Sequence, residues 1–281
     1  MKISLSLGGG GVRGFAHIGV LKVLLGEGHE IAAIAGSSIG ALIGAAYAAG
    51  KSPEGIEEYT REIDQGELFR SRPGQQSGFR GVEGVHSFVS EIFKEKTFED
   101  LLIPFAANAV DISSGELIIL MSGSLVDALM ATISLPGVFE PREWEGKTVF
   151  DGGLINPNPV QIARSLAPGL PVVAVILSRP LAPWPRASPL ERLIRIPFLS
   201  KSFRQTRYFR SMDQFIRAFE IVNHRQNRLQ LEIDRPEFEI RPKTEHIETL
   251  ARVDIQEVIR LGETAARDVL PHLEAFSERR E

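Results

Sequence analysis

Ser38 sits in Gly36-Ser37-Ser38-Ile39-Gly40, a G-x-S-x-G between the apolar run Ile31–Ala35 and the helix-forming run Ala41–Tyr47. A sharp turn from strand to helix needs small residues on both sides of the serine and tolerates a positive φ at its centre. It lifts the serine Oγ above the sheet edge, in front of a helix N-terminus with unpaired N–H groups. A serine so held can attack an acyl carbonyl. The competing reading is a Gly/Ser turn with no chemistry, and the motif alone leaves the two open.

A second feature lies at the start of the chain. Lys2–Leu7 reads as a strand, followed by Gly8-Gly9-Gly10-Gly11-Val12-Arg13-Gly14 and a helical run from Phe15 to Leu25. Consecutive glycines leave backbone N–H groups unshielded, so several can converge on one anion. Gly9, Gly11 and Gly14 fit the G-x-G-x-x-G of a dinucleotide site, but that site expects a carboxylate at the end of the next strand to hold a ribose. The next strand ends in Gly36-Ser37-Ser38 instead. An oxyanion hole fits better, where one well-aimed donor is worth about 3 kcal/mol.

A third feature could supply a base. Thr148-Val149-Phe150 leads into Asp151-Gly152-Gly153, which puts a carboxylate at the tip of a strand with free space around it. Most Asp-Gly pairs are turns, and that reading stands beside the catalytic one.

These motifs, in this order, resemble the patatin-like phospholipases, specifically the small bacterial members. The resemblance rests on Gly9-Gly10-Gly11-Val12-Arg13-Gly14, on Gly36 to Gly40 and on Asp151-Gly152-Gly153. Ala16–Leu21, Asn108–Gly115 and Pro136–Pro141 flank them in the expected manner, so the similarity runs over about residues 2 to 178. One departure is Ala131-Thr132-Ile133-Ser134-Leu135, where the family often carries Ala-Ser. The resemblance implies an α/β three-layer fold, with a mostly parallel central sheet covered by helices on both faces. It also implies a serine–aspartate dyad: Ser38 as nucleophile and Asp151 as proton acceptor. Gly9, Gly10, Gly11 and Arg13 would build and brace the oxyanion hole, and Gly14, Gly36, Gly40, Gly152 and Gly153 are the motif glycines. No metal and no cofactor are implied. An ordinary aspartate, with a pKa near 4, is a poor base for serine at neutral pH. Burial must raise it, or the oxyanion hole must carry much of the catalysis.

A histidine base is the other possibility. The chain has six: His17, His29, His86, His224, His246 and His272. None falls in a triad-like motif, and His17, beside the glycine loop, reads as a packing or hydrogen-bonding residue.

Alternation of strands with helices points to a mostly parallel sheet. Strands are expected at Ile103–Val110, Leu117–Met121, Thr148–Phe150 and Pro171–Ile176, with helices at Val126–Ile133 and Val160–Leu166. Ser52-Pro53 reads as the start of another helix. Residues 66–84, rich in Gly, Arg, Gln and Ser, read as a loop, either a lid over the site or a plain connection. The expected division is 1–178 as the catalytic core and 179–281 as a basic amphipathic segment with a helical extension packed on it. From Arg179 to Arg210 eight basic residues face one acid, Glu191, with Trp184, Phe198, Phe203 and Phe209 among them. This suits peripheral contact with an anionic membrane, and equally an arginine-rich solvent face. Met212 to Val222 and the residues after Asp254 follow helical spacing.

The net charge of −4 gives no case for nucleic-acid binding, and the absence of cysteine removes thiol nucleophiles and disulfides. No export signal or membrane-spanning run is visible, so the reading is a cytoplasmic chain, with peripheral membrane attachment as an option. The function expected is a serine lipid acyl hydrolase, phospholipase A-like, acting on a lipid or ester substrate. The alternatives are an acyltransferase or non-lipid esterase with the same dyad, and a lipid-binding regulatory module with little turnover. Oligomeric state is not legible.

Overall fold

The structure is a computed structural model that describes residues 1–61, 81–136, 138–177, 207–249 and 251–279. β1 (Lys2–Leu7) sets the pattern for the rest. Ile3, Leu5 and Leu7 are fully buried, and so are Ser4 and Ser6 between them. Successive side chains of a strand point to opposite faces, so the aliphatic set meets one layer of helices and the serines meet another. The aliphatic set joins the larger core, with α1 (Ala16–Gly26), α2 (Ile39–Ala48), α5 (Leu125–Thr132) and α8 (Ile255–Glu278). Each of these side chains contributes about 2 kcal/mol by leaving water. On the other face, small residues let α6 (Val160–Leu166) lie close, and the Ser4 hydroxyl donates to the Ala163 carbonyl at 2.7 Å. Leu231 of α7 (Arg207–Asp234) completes that smaller core.

The sheet has eight strands. β2 (Glu30–Gly36), β3 (Phe105–Asp111), β7 (Val172–Val175) and β8 (Phe238–Ile240) run parallel to β1, in the order β3-β2-β1-β7-β8. Buried on both faces, the inner strands read as nearly continuous apolar runs, as parallel strands do. β4 (Leu117–Leu120), β5 (Arg142–Trp144) and β6 (Lys147–Asp151) are antiparallel additions around β3. The mixed α/β architecture implied by the resemblance is therefore present.

The register around β3 decides where the site forms. Ala107 pairs with Gly36 and with Leu120, whereas Ala109 pairs with Asp151 and with Ile118. A residue in a strand has one partner on each edge. β4 therefore takes one edge, and β2 and β6 follow each other along the other. β2 runs up that edge and stops at Gly36; β6 runs down it and stops at Asp151. Two strand ends meet across Asn108.

Some expectations need correction. The first helix is preceded by a 3₁₀ turn over Gly11–Phe15, so Phe15 belongs to that turn. β3 starts at Phe105, two residues later than expected, after Pro104. The C-terminal third is not only helical, because β8 adds a strand beside β7. α4 (Gly81–Phe93) takes up the end of the expected 66–84 loop; the loop as far as residue 80 and the basic segment 179–210 as far as residue 206 lie outside the described residues, and residues 207–210 open α7. α3 (Pro53–Arg61) begins as expected, with the Gly55 N–H donating to the Ser52 hydroxyl at 3.1 Å. Among the described residues, no helix is long and apolar enough to cross a membrane.

Candidate active site

Ser38 stands between β2 and α2 with φ 52° and ψ −124°, a conformation that non-glycine residues adopt only under constraint. The constraint comes from both flanks. A Cβ on Gly40 would lie 2.2 Å from the Leu7 carbonyl, and one on Gly36 would lie 2.5 Å from the Ala41 backbone. α2 can therefore press onto the end of β1, and the turn between has no slack. The Ser37 N–H donates to the Leu7 carbonyl at 3.0 Å, and the Ser38 N–H to the Thr132 hydroxyl at 3.1 Å. Thr132 thus fixes the backbone at Ser38. Gly14 makes room for the Ile39 side chain.

Asp151 is 4% exposed, at the end of β6. The Ser38 hydroxyl lies close enough to its carboxylate to favour the ionised form, and the Gly153 N–H donates to Oδ1 at 2.8 Å. Burial pushes its pKa up to about 6, against the opposing pull of these two groups. Among the described residues no lysine or arginine is set against it. Ser38 is only partly buried, whereas Asp151 is almost wholly withdrawn from solvent. Gly152 packs on Asn108, leaving no space for a side chain, and the Asn108 amide donates to the Asn156 carbonyl at 2.7 Å.

The glycine loop lies beside both. Gly9 approaches Ser38, since a Cβ there would be 3.5 Å from the Ser38 Cβ. Its own N–H is committed to the Pro157 carbonyl at 2.9 Å, and the Gly8 N–H to the Val175 carbonyl at 3.0 Å. Among the described residues no acceptor takes the N–H of Gly10 or of Gly11. Arg13 is buried, and its Nε donates to the Gly10 carbonyl at 3.0 Å. His17 is buried completely, which lowers its pKa to about 4 and keeps the ring neutral. Its Nε2 lies 2.8 Å from the Gly8 carbonyl and carries the proton, because a carbonyl only accepts. His17 is thus a prop of the loop. Among the described residues no histidine ring hydrogen-bonds Ser38 or Asp151, and no group of three or more His, Cys, Asp or Glu is gathered to hold a metal ion.

Several contributors carry no motif. Asn223 and Gln226 of α7 donate to the carbonyls of Gly153 and Ile155, and the Asn158 amide donates to Asn227 at 3.0 Å. One face of α7 thus holds the loop that follows Asp151. Thr249, between β8 and α8, accepts from Arg13 Nη2 and, through its carbonyl, from the Val12 N–H, both at 3.0 Å. The only sequence signal for these residues is that polar side chains interrupt otherwise apolar or helical spacing.

The chain matches the family model described as patatin-like phospholipase over residues 5–164, more than half of its length. It is 36% identical over 161 residues to an uncharacterised NTE family protein of Mycobacterium tuberculosis, covering 57% of this chain and 44% of that one. It is 35% identical over 182 residues to the patatin-like phospholipase domain-containing protein 7 of Mus musculus, covering 62% of this chain and 13% of that one. The chain thus spans less than half the length of these relatives. Among solved structures, that of VipD from Legionella pneumophila superposes with a TM-score of 0.58 at 13% identity, over 97% of this chain and 67% of that one, a likeness of fold. The chain belongs to the patatin-like phospholipase family.

Proposed function

We propose that this chain is a serine lipid acyl hydrolase, phospholipase A-like, working through Ser38 and Asp151. The observation that carries the reading is a buried carboxylate beside the Ser38 hydroxyl, at the meeting of two strand ends, with its pKa raised to about 6. At neutral pH such a carboxylate is mostly ionised yet basic enough to take a proton, which answers the objection against an ordinary aspartate.

Ser38 Oγ attacks the ester carbonyl carbon as its proton moves to Asp151. The carbonyl oxygen becomes an oxyanion, and the N–H groups of Gly10 and Gly11 are the donors for it; the Gly9 N–H is spent on Pro157. Collapse of the tetrahedral adduct expels the alcohol, which leaves with the proton from Asp151. Water then gives a proton to Asp151 and attacks the acyl-serine, and the fatty acid departs as Ser38 regains its proton. Gly9 serves as close packing beside Ser38, and Arg13 as the brace of the donor loop. Every step is supplied by these side chains and amides.

The lipid substrate is supported by family membership, and the basic segment 179–210 suits an anionic surface. The test is fatty-acid release from phospholipid vesicles, with and without anionic lipid, beside cleavage of a short-chain p-nitrophenyl ester. Wild type, Ser38→Ala and Asp151→Asn are compared. Release by wild type and loss in both variants is the expected result. Ester cleavage without phospholipid release moves the substrate to small esters, and transfer to an added alcohol identifies an acyltransferase. No turnover, with Ser38 untouched by a fluorophosphonate probe, leaves a lipid-binding module.

A further inference from the structure

Arg13 anchors the glycine loop, but something must anchor Arg13. A buried guanidinium needs its donors satisfied, and an unfilled one costs on the order of a few kcal/mol. Its Nε is used on the Gly10 carbonyl and its Nη2 on the Thr249 hydroxyl, each at 3.0 Å. Thr249 lies about 85 residues beyond the end of the family match, in the segment joining β8 to α8. Its carbonyl also accepts from the Val12 N–H at 3.0 Å. One residue thus holds the loop on both sides of Gly11: directly at Val12, and through Arg13 at Gly10.

The peptide plane converts this grip into aim. In a trans peptide the carbonyl of one residue and the N–H of the next point in opposite directions. Fixing the Gly10 carbonyl on Arg13 therefore fixes the direction of the Gly11 N–H. Gly11 has φ +58°, and a Cβ there would lie 2.0 Å from the Thr249 carbonyl and 2.7 Å from its Cγ2 methyl. The Thr249 backbone and methyl lie flat against Gly11, and its hydroxyl reaches past to Arg13.

Thr249 is itself well held. Its segment is bonded internally, from the Ile247 N–H to the Thr244 carbonyl at 3.0 Å and from the Ala251 N–H to the Glu248 carbonyl at 3.1 Å. Thr244, Ile247 and Glu248 are buried. On one side β8 is bound into the sheet, and on the other α8 packs on α1. A Cβ on Gly262 would lie 1.9 Å from the Ala16 carbonyl, so the two helices touch backbone to backbone directly behind the glycine loop.

We propose that Thr249 is a positioning residue of the oxyanion hole, its hydroxyl fixing the guanidinium that aims the Gly11 N–H. The inference rests on the hydrolase reading above. Its test separates the hydroxyl from the methyl. Thr249→Val keeps the branched shape that packs on Gly11 and removes the acceptor. Thr249→Ser keeps the acceptor and removes the methyl. With the full chain and the p-nitrophenyl ester, kcat of the valine variant is expected to fall about 10-fold while KM moves less than about twofold. The serine variant is expected to keep kcat within about twofold of wild type. Fluorophosphonate labelling of Ser38 should slow in the valine variant alone, because the phosphonyl oxygen uses the same donors. A valine variant with wild-type kcat, or a serine variant impaired as much as valine, overturns the proposal. Should the valine variant not fold, Thr249→Cys takes its place, close to serine in size but a poor acceptor. Its kcat must fall below that of Thr249→Ser, and equality overturns the proposal. If wild type cleaves nothing and Ser38 takes no probe, the hydrolase reading fails and this inference with it; if wild type turns over and the valine variant matches it, this inference alone fails.

Discussion

Asp151 and Glu57 are both carboxylates withdrawn from water, and their surroundings drive them in opposite directions. Asp151 meets a serine hydroxyl and a backbone N–H, and burial outweighs them, so its pKa rises to about 6. Glu57, on α3, receives hydrogen bonds from Lys22 of α1, Gln256 of α8 and Arg61 one turn along its own helix. The Lys22 bond leads, Gln256 and Arg61 add to it, and together they outweigh burial, so its pKa falls to about 2. One carboxylate is left able to exchange a proton; the other is committed to charge as a clasp between three helices. Burial alone makes neither a base nor a brace. What decides is whether cations accompany the group inward.

Swapping each for its amide should separate the two roles. Asp151→Asn is expected to lower kcat by about 10³-fold, within the range general bases supply, while Glu57→Gln leaves kcat near wild type. Ester cleavage by both purified variants reads this out, and equal losses would break the contrast. Stability should reverse the order. Glu57→Gln is expected to cost about 3 kcal/mol at pH 7, because it leaves Lys22 without its counter-charge. A lowered folded-state pKa contributes stability that is full above the unfolded value near 4.5 and is lost as pH falls towards 2. The gap between Glu57→Gln and wild type in urea denaturation should therefore close over that window.

Asp151→Asn should stabilise the fold by about 2 kcal/mol at pH 8, since it removes a buried charge. The sign follows from the raised pKa: the folded protein favours the protonated carboxyl, so ionisation between about pH 4 and 6 costs stability. At pH 4 wild type is protonated and the advantage should vanish, which thermal melts at the two pH values measure. The smallest effect expected is in the pH profile. kcat/KM should climb through about pH 6 as Asp151 ionises and then level off, with activity at pH 5 about 10-fold below the plateau. A profile flat through that range would assign the base elsewhere.

The motifs around Ser38 and Asp151 could be read in the chain because their geometry is made locally. Gly36 and Gly40 are required by a turn a few residues long, and Asp151 takes the N–H of Gly153 two residues on. The alternation of Ile3, Leu5 and Leu7 with Ser4 and Ser6 announces a strand, but alternation fits one face in solvent, and only the packing of α6 shows that the serine face is covered too. β5 and β8 went unread because three residues are too few to carry a period, and their pairing depends on what lies alongside. Which glycine amide stays free was equally hidden. Gly9, Gly10 and Gly11 are identical as residues, and only the Pro157 carbonyl distinguishes the first.

The turn at Ser38, the glycine loop, the carboxylate at a strand end and the alternation that builds a largely parallel sheet are all legible in the chain, since each depends on residues close together in it. Tertiary structure decided the rest. It brought Gly36 and Asp151 to one edge of β3, two residues apart in register. It withdrew cations from Asp151 and gathered them on Glu57, and it brought Thr249 and α7 to the two loops of the site. Those outcomes are sums of distances between residues far apart in the chain, and desolvation and hydrogen bonding act through those distances alone.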